Sequence, residues 1–540
     1  MTIKVFTVAE MVAAERAADA SGVSYDMMME TAGRRVAEAI SERVPVRGRN
    51  VVVLVGPGNN GGDGLVAGRY LAQAGADVAI YLYKARAADE DANLRQVEEM
   101  GLFIVEAALD QRYRVLRTRL NDAAIVVDSL LGTGVTRPIA GNLAALMKEA
   151  GAAIAAARDR QSADVALLPV GAMSAEQMPA AAPYIVAVDC PSGLNCDTGE
   201  LDKLALDADL TVTFAGPKRG HFYSPGAGSC GKLVVADINI NPQLPEVAQV
   251  PAALVTRRWA KELLPLRPID GHKGTFGTVL IAAGSGQYWG APLLSGRGAY
   301  RAGAGLVALA VPQAIRPTVA SQLPEATYPA VPAEEVLDNE SYYFLLSEIE
   351  RCQALLVGPG LGPADAFLEA LLAPGKVLPP LVVDADGLNA LARRPGWQRA
   401  LPPNTILTPH PGEMARLLGR SVTEVKAADR IKLALDAASS WGHIVLLKGA
   451  FTVVASPGGA CAVQPFANPL MAVGGSGDVL AGIIAAQLAQ GMAPFDAAVL
   501  GAYLHGAAAE LAAEKFGSAG LLSGELADWV PAARRRVAGS

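Results

Sequence analysis

The chain has 540 residues and a formal net charge of −7, too long for one hydrophobic core and too acidic to suggest a nucleic-acid surface. No uninterrupted apolar run is long enough for a membrane helix, and the first residues lack the basic-then-apolar pattern of a secretory signal. The five cysteines, Cys190, Cys196, Cys230, Cys352 and Cys461, are an odd number without zinc spacing and read as reduced thiols of a cytoplasmic protein.

In chain order, residues 8–44 read as two helices, one starting around Glu10 and Met11, the other running from Tyr25 to about Arg43. The run Met27, Met28 and Met29 reads as core packing. Residues 50–55 are a short buried strand entering a turn with Gly56, Gly58 and Gly61, and a helix follows to about Ala74. Strand before and helix after suit the G-x-G-x-x-G dinucleotide fingerprint. The acid expected at the end of the next strand is missing, because that strand ends at Lys84. The distinctive part of the turn is Asn59, Asn60, Gly61, Gly62 and Asp63, which sets two amides and a carboxylate in a phosphate-type turn. Two later strands end in acids: residues 123–128 at Asp128, and residues 184–189 at Asp189, which leads into Cys190, Pro191, Ser192 and Gly193. Ligands of an open parallel sheet bind at the carboxyl ends of its strands, so Asn60, Asp128, Asp189 and Ser192 are expected to face one crevice. Oxygen-only donors there suit a hard cation rather than zinc. Residues 226–232 match most of a P-loop, but Leu233 replaces the Ser or Thr that would hold magnesium and a strand follows, so they read as a turn.

Over roughly residues 5–240 these motifs resemble the NAD(P)H-hydrate epimerase family. The resemblance implies that Asn59, Asn60, Gly61, Gly62 and Asp63 contact the hydrated nucleotide, together with Gly132, Thr133, Gly134, Val135, Thr136, Arg137 and Pro138. It implies that Asp189 binds substrate and does acid/base work, and that Asn60, Asp128 and Ser192 hold a potassium ion. Residues 208–214 and Lys218 also resemble the family. Residues 157–183 depart from it and read as an inserted surface loop of no assigned role.

Residues 241–254 carry Pro242, Pro245 and Pro251 without periodicity and read as a linker between domains 1–240 and 255–540. Beyond it, strands and helices alternate, which implies a second parallel α/β sheet. Strand 381–383 runs into Asp384 and Asp386, His410 stands between Pro409 and Pro411, and strand 444–447 runs into Lys448 and Gly449. Rigid flanking prolines mark His410 as a candidate site residue. Near the C-terminus, Gly474, Gly475 and Gly477 crowd into four positions, Asp478 follows at once, and a buried helix continues to Gly491. Such a turn aims backbone N–H groups and the positive end of a helix dipole at one spot, which favours a phosphate or a developing oxyanion. Asp478 is placed to take a proton from a substrate hydroxyl. The same N–H groups are expected to lower its pKa.

Gly474-Gly-Ser-Gly-Asp478 resembles the anion hole of ribokinase-like enzymes, and the stretch from Asn468 resembles the NAD(P)H-hydrate dehydratases among them. The match extends over about residues 255–535, and Ser476 stands where threonine is more usual. It implies ADP contacts from Lys448, Gly449, Ala450, Phe451 and Thr452, and from Asn468, Met471, Gly474, Gly475, Ser476 and Gly477. It implies hydrate contacts from Ala291, Gly360, His410 and Asp478, with Mg2+ as cofactor. The expected fold is therefore α/β, with a Rossmann-like domain followed by a ribokinase-like domain, each of three layers. As a whole the chain resembles the bifunctional NAD(P)H-hydrate repair enzymes. Such enzymes epimerise the R and S hydrates of NADH and NADPH, and dehydrate the S form with ADP, giving AMP and phosphate. The alternative is a ribokinase-like small-molecule kinase with a non-catalytic N-terminal nucleotide-binding module. A homo-oligomer with no nucleic-acid or membrane partner is expected.

Overall fold

A computed structural model describes residues 2–89, 91–164 and 183–539. The chain divides into two compact units, Ile3–Val250 and Pro251–Ser540. Among the described residues no helix is long and apolar enough to cross a membrane.

The first unit holds a parallel sheet in the order Phe103–Glu106, Asp77–Leu82, Asn50–Val55, Ile125–Ser129, Tyr184–Val188, Leu210–Phe214 and Lys232–Ala236. Strands covered on both faces are apolar throughout, and residues 51–55 and 125–127 are at most 2% exposed. The strand order reverses at Asn50–Val55, which pairs with Asp77–Leu82 on one side and Ile125–Ser129 on the other. Loops leaving the strands at such a switch point diverge and open a crevice. Leu54 pairs with Asp128, and Asp128 with Ala187, so three strand ends finish level with one another at that crevice. Helix Gly141–Asp164 takes up the start of the expected insertion, and residues 165–182 lie outside the described residues.

The proline-rich segment 241–254 is structured. Pro245 starts the helical turn Pro245–Ala248, a position where its missing N–H costs nothing. Val247 and Val250 pack on Phe6, Met11 and Ala14. Residues Ala252–Leu254 pair with Cys461–Val463 in the second unit's sheet. The division between the units falls between Val250 and Pro251.

In the second unit the strands run Ala252–Leu254, Cys461–Val463, Val453–Ala455, Ile444–Leu447, Ile406–Leu407, Leu381–Val383, Ala354–Val357, Thr278–Ala282 and Leu306–Ala310. Val453–Ala455 is antiparallel to both neighbours, and the other pairs are parallel. The sheet is therefore mixed rather than fully parallel, because residues 456–460 are too few for a crossover and make a hairpin instead. A second reversal of strand order falls at Thr278–Ala282. Helices Gly290–Ala302 and Ser476–Ala489 approach so closely that a Cβ on Gly482 would lie 2.0 Å from the Ser295 carbonyl oxygen. Glycine at that contact lets helix Ser476–Ala489, which starts at the glycine turn, pack directly on the helix that carries Ala291.

Candidate active sites

In the first unit, helix Asn59–Gln73 starts directly after the glycine turn, so residues 59–63 form its first turn. A Cβ on Gly61 would lie 2.1 Å from the Gly56 carbonyl oxygen, a contact only glycine allows. Arg86 stands in the loop that follows strand Asp77–Leu82. Its Nη1 donates to the Gly56 carbonyl at 2.6 Å and its Nε to Asp91 at 2.6 Å, which ties the turn down. Of the three methionines expected in the core, only Met28 is buried there. Met27 is exposed, and Met29 packs its sulfur against Gly62 beneath the turn.

Asn60, Asp128 and Ser192 come together, all at most 8% exposed. Asn60 Nδ2 donates to the Leu131 carbonyl at 2.8 Å, and the Leu131 N–H donates to Ser192 Oγ at 2.9 Å. The Ser192 N–H and hydroxyl donate to the Asp128 carboxylate at 2.9 and 2.6 Å. Burial raises the Asp128 pKa, with the Ser192 hydrogen bonds opposing it. The donors are a carboxylate, a hydroxyl, an amide and a backbone carbonyl. Such oxygen donors suit a hard cation; among the described residues no cluster of His, Cys, Asp and Glu is placed to hold a metal. Gly132 rests on Asn60. Val135, Thr136, Arg137 and Pro138 line an adjoining cavity of about 510 Å³ with Gly193 and Asp202, and Thr133 and Gly134 connect the two places along the chain.

Asp189 adopts φ 62°, a strained conformation for a residue other than glycine. Its Oδ1 accepts from Lys218 Nζ at 2.5 Å, Thr213 Oγ1 at 2.8 Å and the Phe214 N–H at 3.3 Å. Burial pushes the Asp189 carboxyl up, but the Lys218 charge outweighs it and brings the pKa below its ordinary value. Lys218 is 1% exposed. Burial lowers its pKa, and Asp189 more than reverses that. Asp63 goes the other way: burial, then the charges of Asp189 and Glu15, raise it well above the carboxylate range. The two carboxyls are thus shifted in opposite directions, Asp189 down and Asp63 up. Glu15, raised by burial, is a member of this group that sequence reasoning misses.

In the second unit, Lys448, Gly449, Ala450, Thr452, Asn468, Met471, Ser476 and Gly477 line one cavity of about 640 Å³, with His410 and His505. Phe451, Gly474 and Gly475 do not line it and instead brace it from behind. The Phe451 N–H donates to the Phe466 carbonyl at 2.7 Å, the Gly474 carbonyl accepts from Ser523 Oγ at 2.7 Å, and Gly475, at φ 89°, caps helix Ser476–Ala489. Lys448 Nζ lies beneath Gly477, 3.4 Å from where a Cβ would stand. It donates to the buried Asp384 at 2.6 Å and stands 3.8 Å from Glu413. Thr408 Oγ1 also donates to Asp384, at 2.8 Å. Burial would lower the Lys448 pKa, but Asp384 and Glu413 outweigh it.

The expectation of a lowered Asp478 pKa is overturned. It is pushed up to about 7, first by burial and then by the charge of Asp384, with Lys448 opposing and Asp386 and Glu413 adding to the rise. Three buried or half-buried carboxyls outweigh the local N–H groups.

Ala291 and Gly360 meet: a Cβ on Gly360, at φ 62°, would lie 2.8 Å from that of Ala291. The Gly362 N–H donates to Asp386 at 2.9 Å, so this corner shares with Asp478 a carboxylate that acts on its charge. His410 caps helix Pro411–Leu418, its Nδ1 accepting from the Gly412 N–H at 2.9 Å, while its own N–H donates to Glu413 at 2.8 Å. Burial, then Lys448 and Arg416, lower its pKa, and it stands in the cavity wall. His505 is a second residue that sequence reasoning leaves unassigned. In the sequence it shows only as a polar break in an apolar helix.

The fold and sites define a two-unit α/β enzyme, with a crevice of carboxyls around Lys218 in one unit and a glycine turn beside a titratable carboxyl in the other. The chain matches the family model described as YjeF-related protein N-terminus over residues 25–220 and the one described as NAD(P)H-hydrate dehydratase over residues 279–532. The bifunctional NAD(P)H-hydrate repair enzyme of Moorella thermoacetica is 38% identical, over 95% of this chain and 92% of the relative. That of Thermofilum pendens is 37% identical, over 99% and 97%. A crystal structure of the ADP/ATP-dependent NAD(P)H-hydrate dehydratase from Bacillus subtilis, co-crystallised with ATP and Mg2+, is 34% identical, with a TM-score of 0.45, covering 52% of this chain and 97% of that one. The chain belongs to the family of bifunctional NAD(P)H-hydrate repair enzymes, which favours hydrate repair over the small-molecule kinase alternative.

Proposed function

We propose that the chain repairs hydrated NADH and NADPH. Unit Ile3–Val250 interconverts the R and S hydrates, and unit Pro251–Ser540 dehydrates the S form with ADP, giving AMP and phosphate. The observation that carries this reading is Asp478: a carboxyl with a pKa of about 7, directly after a phosphate-type turn at the edge of a cavity that holds Lys448.

In the second unit, Asp478 takes the proton of the hydroxyl on ring carbon 6 as that oxygen attacks the terminal phosphorus of ADP and AMP departs. The turn's N–H groups and Lys448 hold the charge that develops on the phosphoryl oxygens. The ring nitrogen's lone pair then expels phosphate, and loss of a ring proton restores the dihydronicotinamide. Ala291, Gly360 and His410 wall the hydrated ring. Mg2+ would reach the site on the nucleotide's own phosphates. When bound, it neutralises charge on the nucleotide's phosphates.

In the first unit, neutral Asp63 gives a proton to the same hydroxyl, and the ring nitrogen expels it as water. Water returns on the other face of the ring, losing its proton to Asp189, whose ionised state Lys218 secures. The turns 59–63 and 132–138 contact the nucleotide. Asn60, Asp128, Ser192 and the Leu131 carbonyl fit potassium, which when bound supplies a fixed positive charge for the substrate's phosphates. A cytoplasmic homo-oligomer is part of the proposal, and sizing chromatography and cell fractionation test it.

The experiment is incubation of chemically hydrated NADH with ADP, following the return of the reduced ring's absorbance and the release of AMP and phosphate. A stable phosphorylated product with no return of absorbance would overturn the reading in favour of a kinase.

A further inference from the structure

We propose that His505 recognises the nucleoside of the bound nucleotide: its Nδ1 accepts a hydrogen bond from a ribose hydroxyl or from the exocyclic amine of adenine. This rests on the nucleotide reading of the cavity given above and adds a specificity residue to it.

The argument starts from the tautomer. His505 Nε2 lies 3.0 Å from the carbonyl oxygen of Ser476. A carbonyl can only accept, so Nε2 carries the hydrogen and Nδ1 is left with a bare lone pair. The ring stays neutral through the physiological range, because burial and, to a lesser extent, Lys448 bring its pKa down to about 4. An imidazolium that would pair with phosphate is therefore excluded, and the free nitrogen can only accept. His505 is 9% exposed and lines the cavity together with Asn468, Met471, Ser476 and Gly477. With Nε2 engaged by Ser476, Nδ1 is the ring nitrogen left to meet a ligand in the cavity that His505 lines.

The surroundings narrow the ligand. Lys448 and the Gly477 N–H at the start of helix Ser476–Ala489 present positive charge and a donor, which claim the phosphates. His505 presents an acceptor, which phosphates cannot use. The remaining donors of a nucleoside diphosphate are its ribose hydroxyls and, in ADP, the amine on the base. Inosine diphosphate replaces that amine with a carbonyl and would set two acceptors against each other.

The experiment compares ADP with inosine diphosphate, 2′-deoxy-ADP and 3′-deoxy-ADP in the full chain, with hydrated NADH as substrate, and repeats the series in His505→Gln. Gln keeps an amide N–H that can reach Ser476 and removes the cavity-facing acceptor. In the wild type, the analogue lacking the recognised donor should raise the KM for nucleotide roughly three- to tenfold, the value of one neutral hydrogen bond. In His505→Gln, ADP should rise by the same factor and that analogue should show no further loss, with kcat nearly unchanged. Which analogue behaves this way tells amine from hydroxyl. Should the variant not fold, the ¹⁵N resonance of the wild-type His505 Nδ1 decides. It should move on adding ADP and not on adding inorganic pyrophosphate. Equal KM values for all four nucleotides, an analogue penalty that survives in His505→Gln, or an unmoved Nδ1 resonance each overturn the inference. Absence of any nucleotide-dependent turnover in the wild type would instead count against the function proposed above.

Discussion

Asp478→Asn keeps the side chain's shape and polarity and removes its ability to take a proton. With a pKa of about 7, the carboxylate fraction is about one tenth at pH 6, one half at pH 7 and nine tenths at pH 8, so kcat/KM should climb about fivefold over the first step and less than twofold over the second. Removing the base should lower turnover by about 10² to 10⁴. ADP's own terminal phosphate loses a proton at about pH 6 and adds a limb to the profile. The informative quantity is therefore the wild-type rate divided by the variant rate at each pH, measured from the reduced ring's absorbance. That ratio should rise with a midpoint near 7, while epimerisation is unaffected. A ratio that stays flat from pH 5 to 9, or a variant that loses ADP affinity but turns over normally at saturation, would show that Asp478 positions the nucleotide and is not the base.

The same shift has a stability consequence of opposite sign. A carboxyl whose folded pKa is raised stabilises the fold at low pH and loses that contribution as pH rises through about 7. Asp478→Asn should therefore melt higher than the wild type at pH 8, by a few kcal/mol at most, with little difference at pH 4, as scanning calorimetry would show. Lys448→Met should abolish dehydration and leave Asp384 buried and unpaired, at a cost of about 3–5 kcal/mol. Adding Asp384→Asn should restore stability in urea titration without restoring activity, and a double variant no more stable than the single one would refute the pairing. Asp128→Ala should slow epimerisation and spare dehydration of pure S hydrate, and equal loss of both would show that the sites are not separate. Residues 251–540 should fold alone with ADP-dependent activity. A truncated chain that begins at residue 255 should be less stable in the same titration, because it lacks the strand Ala252–Leu254.

Local chemistry makes much of this readable in the chain. The glycine turns before Asp63 and Asp478 and the acids at strand ends are short-range signals, and the structure gathers Asn60, Asp128 and Ser192 within hydrogen-bond reach of Leu131 or of one another. What is not readable depends on partners far apart in sequence. Lys448 meets Asp384 across 64 positions, and Lys218 meets Asp189 across 29. No periodicity announces either pair. The direction of the Asp478 shift is misread from sequence for the same reason: the N–H groups that lower a pKa lie next to it in the chain, whereas the burial and the carboxyl of Asp384 that raise it come from the tertiary fold. His505 escapes notice because a lone histidine in an alanine-rich helix looks like core until its neighbours are known. Segment 241–254 looks like a linker because prolines break periodicity, although Pro245 starts a helical turn and Pro251 leads into a strand.

The two units, with different sheets, reach their chemistry by one electrostatic arrangement. In each, a lysine is held against a carboxylate at the carboxyl end of a strand, with one partner buried and the other half-buried: Lys218 on Asp189, Lys448 on Asp384. In each, a second carboxyl stands on the first turn of a helix that follows a glycine turn, Asp63 in one and Asp478 in the other, and burial and the first carboxylate push it up. In each unit the first carboxylate raises the pKa of the second, with the lysine opposing. Both carboxyls are raised, Asp478 to about 7, which suits the base of the proposed dehydration, and Asp63 upward, which suits the proton donor of the proposed epimerisation. Donor in an epimerase and acceptor in a dehydratase are the two roles that one hydroxyl, leaving as water in the first case and attacking phosphorus in the second, requires.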